Sequence, residues 1–181
     1  MNRKIINSLF FLIVIGALYR IIPGRPMGFA PQIAMALFGG SIFVNEKKWA
    51  FSLPLFSMFI GDCFYQILYL NNMSQISGFY SGQWVNYILF GLLTCFGFSI
   101  KTLKMSSILP WSFFAPTFYF LSSNALVWMG GGGYGRPTLL QTYVDGLPFY
   151  FNSIYATLFF SVLLFSGLKL ITKTQQKYNY E

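Results

Sequence analysis

Six apolar runs, each about as long as a bilayer is thick, follow one another along this sequence with short polar stretches between them. A hydrocarbon core of ~30 Å needs about 20 apolar residues in helical form. Six such spans use most of the 181 residues and leave room for loops and tails, not for a second soluble domain. Charge points the same way. Twelve Lys and Arg and four Asp and Glu make up 9% of the chain, whereas soluble domains carry about 25%. The sequence therefore reads as an all-α polytopic membrane protein. It forms one integral domain over residues 1–181, with six transmembrane helices near 5–22, 29–45, 49–70, 84–100, 108–129 and 147–168. A basic start before an apolar run also suits a signal peptide, but no small-residue cleavage site follows, so the first run is expected to stay as a helix.

The composition excludes much chemistry. There is no histidine, which removes His-ligated metals and Ser-His-Asp catalysis. The acidic residues are Glu46, Asp62, Asp145 and Glu181, too few for a carboxylate metal cluster. No cofactor and no enzymatic activity are expected. Cys63 and Cys95 lie in apolar runs without CxxC spacing and are expected to be buried, inert thiols. Gly130, Gly132 and Gly135 match G-x-G-x-x-G formally, but no strand precedes them, so the match has no dinucleotide-binding meaning. There is no G-x-x-x-x-G-K-[ST] either, so any ATP dependence has to come from a partner.

The net charge of +8 does not point to nucleic acid, because basic residues sit singly or in pairs at the ends of apolar runs. Arg3, Lys4, Lys47, Lys48, Lys101, Lys104, Lys169, Lys173 and Lys177 fall on one side of the six-span topology, and Arg20, Arg25 and Arg136 on the other. The excess predicts that both termini face the cytoplasm of a bacterial inner membrane. The three outer connections are rich in structure breakers, and long irregular loops are often functional. They are Pro23–Gly28, residues 71–83 and residues 130–146.

Asp62 is the one carboxylate well inside a span, where a charge costs at least ~2.5 kcal/mol. It lies about 20 Å along the third helix at 1.5 Å per residue, in the outer half, with Tyr65, Gln66 and Tyr69 on the same face. Arg20 reaches a comparable depth. Two readings stay open: a structural ion pair with Arg20, or a ligand-facing carboxylate. Other polar span residues also gather toward the outer side: Asn124 and Trp128 on helix five, Asn152 on helix six. Together with Asp62, Gln66, Arg25 and Arg136 they form the expected substrate-binding set, with the arginines able to cap an anionic group. Small residues at Ala30/Ala34, Ala36/Gly40 and Ser57/Gly61 have the spacing that lets helix backbones approach. They serve packing within the bundle or docking of another subunit.

Phe29-Ala30-Pro31, Ala34-Met35-Ala36-Leu37-Phe38-Gly39-Gly40, Pro54-Leu55 with Asp62, and Pro148-Phe149-Tyr150-Phe151-Asn152 resemble a family of small Bacteroidota membrane proteins related to the S-components of energy-coupling-factor (ECF) transporters. The similarity covers nearly the whole chain, and Ala-Leu-Phe-Gly-Gly is its most specific part. The resemblance implies a six-helix bundle that captures a vitamin or related micronutrient from the outer side. It also implies a membrane coupling subunit and cytoplasmic ATPases as partners. Two departures stand out. Thr157 occupies a position where the family leads one to expect an acidic residue. Helix one lacks the Ala-x-x-x-Ala docking signature, for which Ala30/Ala34 of helix two is the nearest match. The rival expectation is a structural or assembly subunit of a membrane complex with no small-molecule ligand.

Overall fold

The structure, a computed structural model, describes residues 3–130 and 137–178, with side chains over 7–130 and 137–170. Six helices and no strand occur among the described residues: α1 Arg3–Arg20, α2 Gln32–Ile42, α3 Lys47–Leu70, α4 Trp84–Gly97, α5 Met105–Met129 and α6 Leu139–Tyr178. Two of them, α3 and the Leu139–Leu170 part of α6, are long and apolar enough to cross a membrane.

The helix α2 is the axis of the bundle. It packs against α3, α4, α5 and α6, and every residue from Gln32 to Gly40 is buried. A helix apolar all round has no water-facing side, and this one is accordingly enclosed by its neighbours. It has 11 residues, about 16 Å at 1.5 Å per residue, and is shorter than the expected span 29–45. Pro31 sets its start, and a turn closed by Glu46 N–H on the Phe43 carbonyl follows its end. Likewise α4 stops at Gly97, short of residue 100, where successive i→i−3 bonds from Phe98, Ser99 and Ile100 tighten the chain into a turn.

Glycine sets how closely the helices meet. A Cβ on Gly40 would overlap the Thr94 carbonyl of α4 and lie 2.8 Å from the Gly97 Cα. Gly39 faces the Ala50 carbonyl of α3, at 2.7 Å from its would-be Cβ. That carbonyl has lost its helical donor because residue 54 is proline. The glycine thus lets α2 cover an acceptor that Pro54 has freed. Around this seam Leu37, Leu53, Leu93, Ile108 and Phe165 are fully buried, and Phe38 meets Phe165 edge to face at 5.2 Å. Ala36/Gly40 therefore serves packing inside the bundle. Gly61 serves it too, since a Cβ there would lie 2.8 Å from Arg20 Nη1.

The perimeter is as apolar as the interior. Phe10, Phe11, Phe56, Ile88, Phe113 and Phe159 are all more than half exposed, at 52–66%. Both thiols are free, and neither is buried as expected. Cys63 is half-buried and Cys95 exposed, because these apolar positions face outward from the bundle.

The largest correction is at α6. It begins at Leu139, inside the stretch 130–146 expected to be an irregular loop, and carries Gly146 and Pro148 within it. Thr138 caps it, its hydroxyl accepting the Gln141 N–H at 3.2 Å. Gly146 is tolerated because α5 crosses there: a Cβ would lie 2.7 Å from Asn124 Oδ1. The glycine is a contact point and not a terminus.

Candidate functional site

One end of the bundle holds the buried carboxylate Asp62. Here α1 and α3 finish, α4 begins, and the connections 21–31 and 71–83 fold inward. Asp62, on α3, is 3% exposed, and three segments supply its partners. Arg20 Nη1 from α1 lies 2.9 Å from its Oδ1. Gln83 Nε2 and the Tyr87 hydroxyl donate to Oδ2, each at 2.5 Å. Arg20 also donates to the Met58 carbonyl at 2.7 Å. Its own carbonyl accepts the Tyr65 hydroxyl at 2.5 Å, and the Tyr65 ring lies 5.8 Å from the guanidinium carbon. A carboxylate this enclosed needs a compensating charge and filled lone pairs, and the site supplies both.

The connection 71–83 is tied down on α3. Gln66 Oε1 accepts the Ser77 hydroxyl and the Phe79 N–H, both at 3.2 Å. Gln83 donates to the Gly78 carbonyl at 2.9 Å as well as to Asp62. Gly78 rests directly on the α3 backbone, where a Cβ would overlap the Asp62 carbonyl. The connection 21–31 is tied to α6. Asn152 Nδ2 donates to the Met27 carbonyl at 2.9 Å, and the Ser153 hydroxyl to the Gly28 carbonyl at 3.1 Å. Gly28 has φ +84° and lies so close to the Phe149 carbonyl that no side chain fits. Both its dihedral and its surroundings require glycine.

Between these two connections lies a cavity of about 490 Å³. Its charged lining is Arg20, Arg25 and Asp62; Tyr65, Tyr80, Gln83, Asn86 and Tyr119 give it polar walls, and Phe149 an apolar one. A relay links three segments across it: the Tyr119 hydroxyl donates to Asn86 Oδ1 at 2.8 Å, and Asn86 Nδ2 to the Tyr80 hydroxyl at 2.7 Å. Partial burial, then the nearby Asp62 carboxylate, hold the Tyr80 phenol above its ordinary pKa, so it remains a neutral donor. A second, more open depression of about 790 Å³ lies over Tyr69–Gln75 and has no charged residue in its lining.

The residues expected from sequence divide in the structure. Asp62 and Arg25 line the cavity, as does Arg20. Gln66 and Asn152 hold the connections that cover it. Asn124 donates to Phe120 of its own helix at 2.8 Å and packs on Gly146. Trp128, at the end of α5, is 43% exposed and outside the cavity lining. Asn124 and Trp128 are therefore not brought to Asp62. Arg136 lies outside the described residues, as do Gly132 and Gly135. Thr157 is buried, with its hydroxyl on the Ser153 carbonyl at 2.7 Å. Sequence reasoning missed Gln83, Tyr80 and Tyr119, and put Asn86 and Tyr87 at the outer start of helix four without counting them in the binding set. The clustering of Gln83, Asn86 and Tyr87 at the start of α4 was a usable signal, but which of them faces inward is a tertiary matter.

The arrangement can bind and enclose a small molecule. Among the described residues no group of three His, Cys, Asp or Glu is placed to hold a metal. The class this defines is an all-helical bundle with a polar cavity under two tethered connections at one end. The chain belongs to the family of unknown function DUF6580, whose pattern matches residues 1–179. No curated protein matches it, and no solved structure does.

Proposed function

We propose that the protein is an S-component-like capture subunit. It sits in a bacterial inner membrane as six spans with both termini inside and takes up a vitamin-like micronutrient from the outer side. The observation that carries this reading is the 490 Å³ cavity at the Arg20–Asp62 end, within the ~300–1,000 Å³ typical of small-molecule sites. Several features support it. The perimeter exposes large apolar side chains on every helix except α2, as suits lipid and not water. The basic residues favour the same orientation, which turns the cavity outward. The resemblance in sequence to S-components supplies the substrate class, and a coupling subunit with cytoplasmic ATPases as partners.

The short α2 is compatible with this placement, because it is enclosed by other helices and does not need to match the bilayer by itself. Irregular connections at membrane depth are tolerated where protein buries them or where they line a cavity, which is where residues 21–31 and 71–83 lie.

Native mass spectrometry of protein extracted in mild detergent tests the reading. Wild type should retain a small organic molecule that Gln83→Leu, which removes one wall of the cavity, releases. Spectra of wild type carrying only detergent and phospholipid would favour the structural-subunit reading.

A further inference from the structure

The cavity's charges do not cancel. Asp62 is committed to Arg20 at 2.9 Å, so this pair is neutral as a unit. Arg25 remains. Among the described residues the lining offers it no carboxylate besides Asp62. Its partners are main-chain carbonyls: Nη1 donates to Phe29 at 2.6 Å and to Pro26 at 3.2 Å, and Nη2 to Arg20 at 3.4 Å. Those bonds fix the guanidinium in place but do not neutralise it. Its Nε is buried and has no hydrogen-bond partner among the described residues. A buried donor of this kind on a charged group is costly to leave unmade. The lining also holds the aromatic side chains of Tyr80, Tyr119 and Phe149.

We propose that the cavity takes a small organic monoanion carrying a flat ring, with its anionic group beside the Arg25 guanidinium and the ring against the aromatic side chains of the lining. This rests on the capture reading above and gives it a chemical class. One negative charge balances the cavity. A cation meets an unneutralised guanidinium, and a neutral amide leaves that charge unanswered. Three of the five guanidinium N–H groups of Arg25 go to main-chain carbonyls, which leaves it little of its usual bidentate fork. Recognition therefore relies on charge and on the ring.

The test uses two probe series of matched shape, on the full-length protein in phosphatidylcholine nanodiscs: indoleacetate, indoleacetamide and tryptamine; nicotinate, nicotinamide and pyridylmethylamine. Binding is read by calorimetry. In at least one series the carboxylate should bind about tenfold or more tighter than its amide, as expected for a charge-assisted hydrogen bond, and the amine should not bind. Arg25→Gln should abolish the preference, and Arg25→Lys should restore part of it. Thermal midpoints of both variants must stay near wild type for that comparison. If Arg25→Gln unfolds, the wild-type series still decides. Amide and carboxylate binding equally would overturn the inference and leave the capture reading intact. No binding by any probe would remove both. Repeating the wild-type series with phosphatidylglycerol in the nanodisc separates a soluble anion from a lipid headgroup. Unchanged carboxylate binding supports the proposal; loss of it assigns Arg25 to lipid and overturns the proposal.

Discussion

Cutting the Arg20–Asp62 pair from each side in turn should give unequal losses, and the structure says which is larger. In Arg20→Gln the carboxylate stays behind with a side chain 4% exposed. It retains neutral donors from Gln83 and Tyr87 but no cation, so the full penalty for an uncompensated buried charge applies, about 3–5 kcal/mol. In Asp62→Asn the remaining guanidinium is 21% exposed and keeps the Met58 carbonyl. Solvent screens it, which places the loss at or below the lower end, about 3 kcal/mol. The new amide also turns an N–H toward donors that had faced an oxygen. The double variant removes both charges and should lose less than the sum of the single losses, by about 0.5–3 kcal/mol. Unfolding in mixed micelles with rising dodecyl sulfate, followed by tryptophan fluorescence, measures all four species. Losses additive within about 0.5 kcal/mol would refute the coupling. A larger loss for Asp62→Asn than for Arg20→Gln would refute the argument from exposure.

Other outcomes follow from the same geometry. Gly78→Val should lift the 71–83 connection off the α3 backbone, costing about 1–3 kcal/mol as overpacking does, and should release bound ligand in native mass spectra while membrane insertion is kept. Gly40→Val should separate α2 from α4 and lower the thermal midpoint more than Gly91→Val, because a Cβ at Gly91 meets nothing within 4 Å. Trp128→Ala should leave ligand retention unchanged, since Trp128 is outside the cavity lining; loss of ligand would place the site at the end of α5 instead. Reporter fusions after Lys48 and Lys104 should read cytoplasmic and a fusion after Gly82 external. A cytoplasmic signal at Gly82 would reverse the proposed orientation and turn the cavity inward.

What the sequence determined by itself is the helical architecture and the depth of its charges. Apolar run length and the scarcity of charge leave little but helices, and six are present among the described residues. Counting residues along α1 and α3 brings Arg20 and Asp62 to one level, because helical rise is a local constant. Tertiary structure decided where two helices end and what each polar side chain faces. Residues 130–146 read as an irregular connection ending at Gly146. Yet α6 begins at Leu139 and runs through Gly146, because the crossing with α5 needs a residue without a side chain where Asn124 packs. Asn124, Gln66 and Asn152 share composition and depth with the cavity residues. Only the folding of residues 71–83 onto α3 and of residues 21–31 onto α6 makes Gln66 and Asn152 tethers, while Gln83 and Asn86 line the wall. Such assignments depend on contacts between segments far apart in the chain, for which helical period and hydropathy carry no signal. Gly28 and Ser153, 125 positions apart and joined by one hydrogen bond, show how far that reach extends.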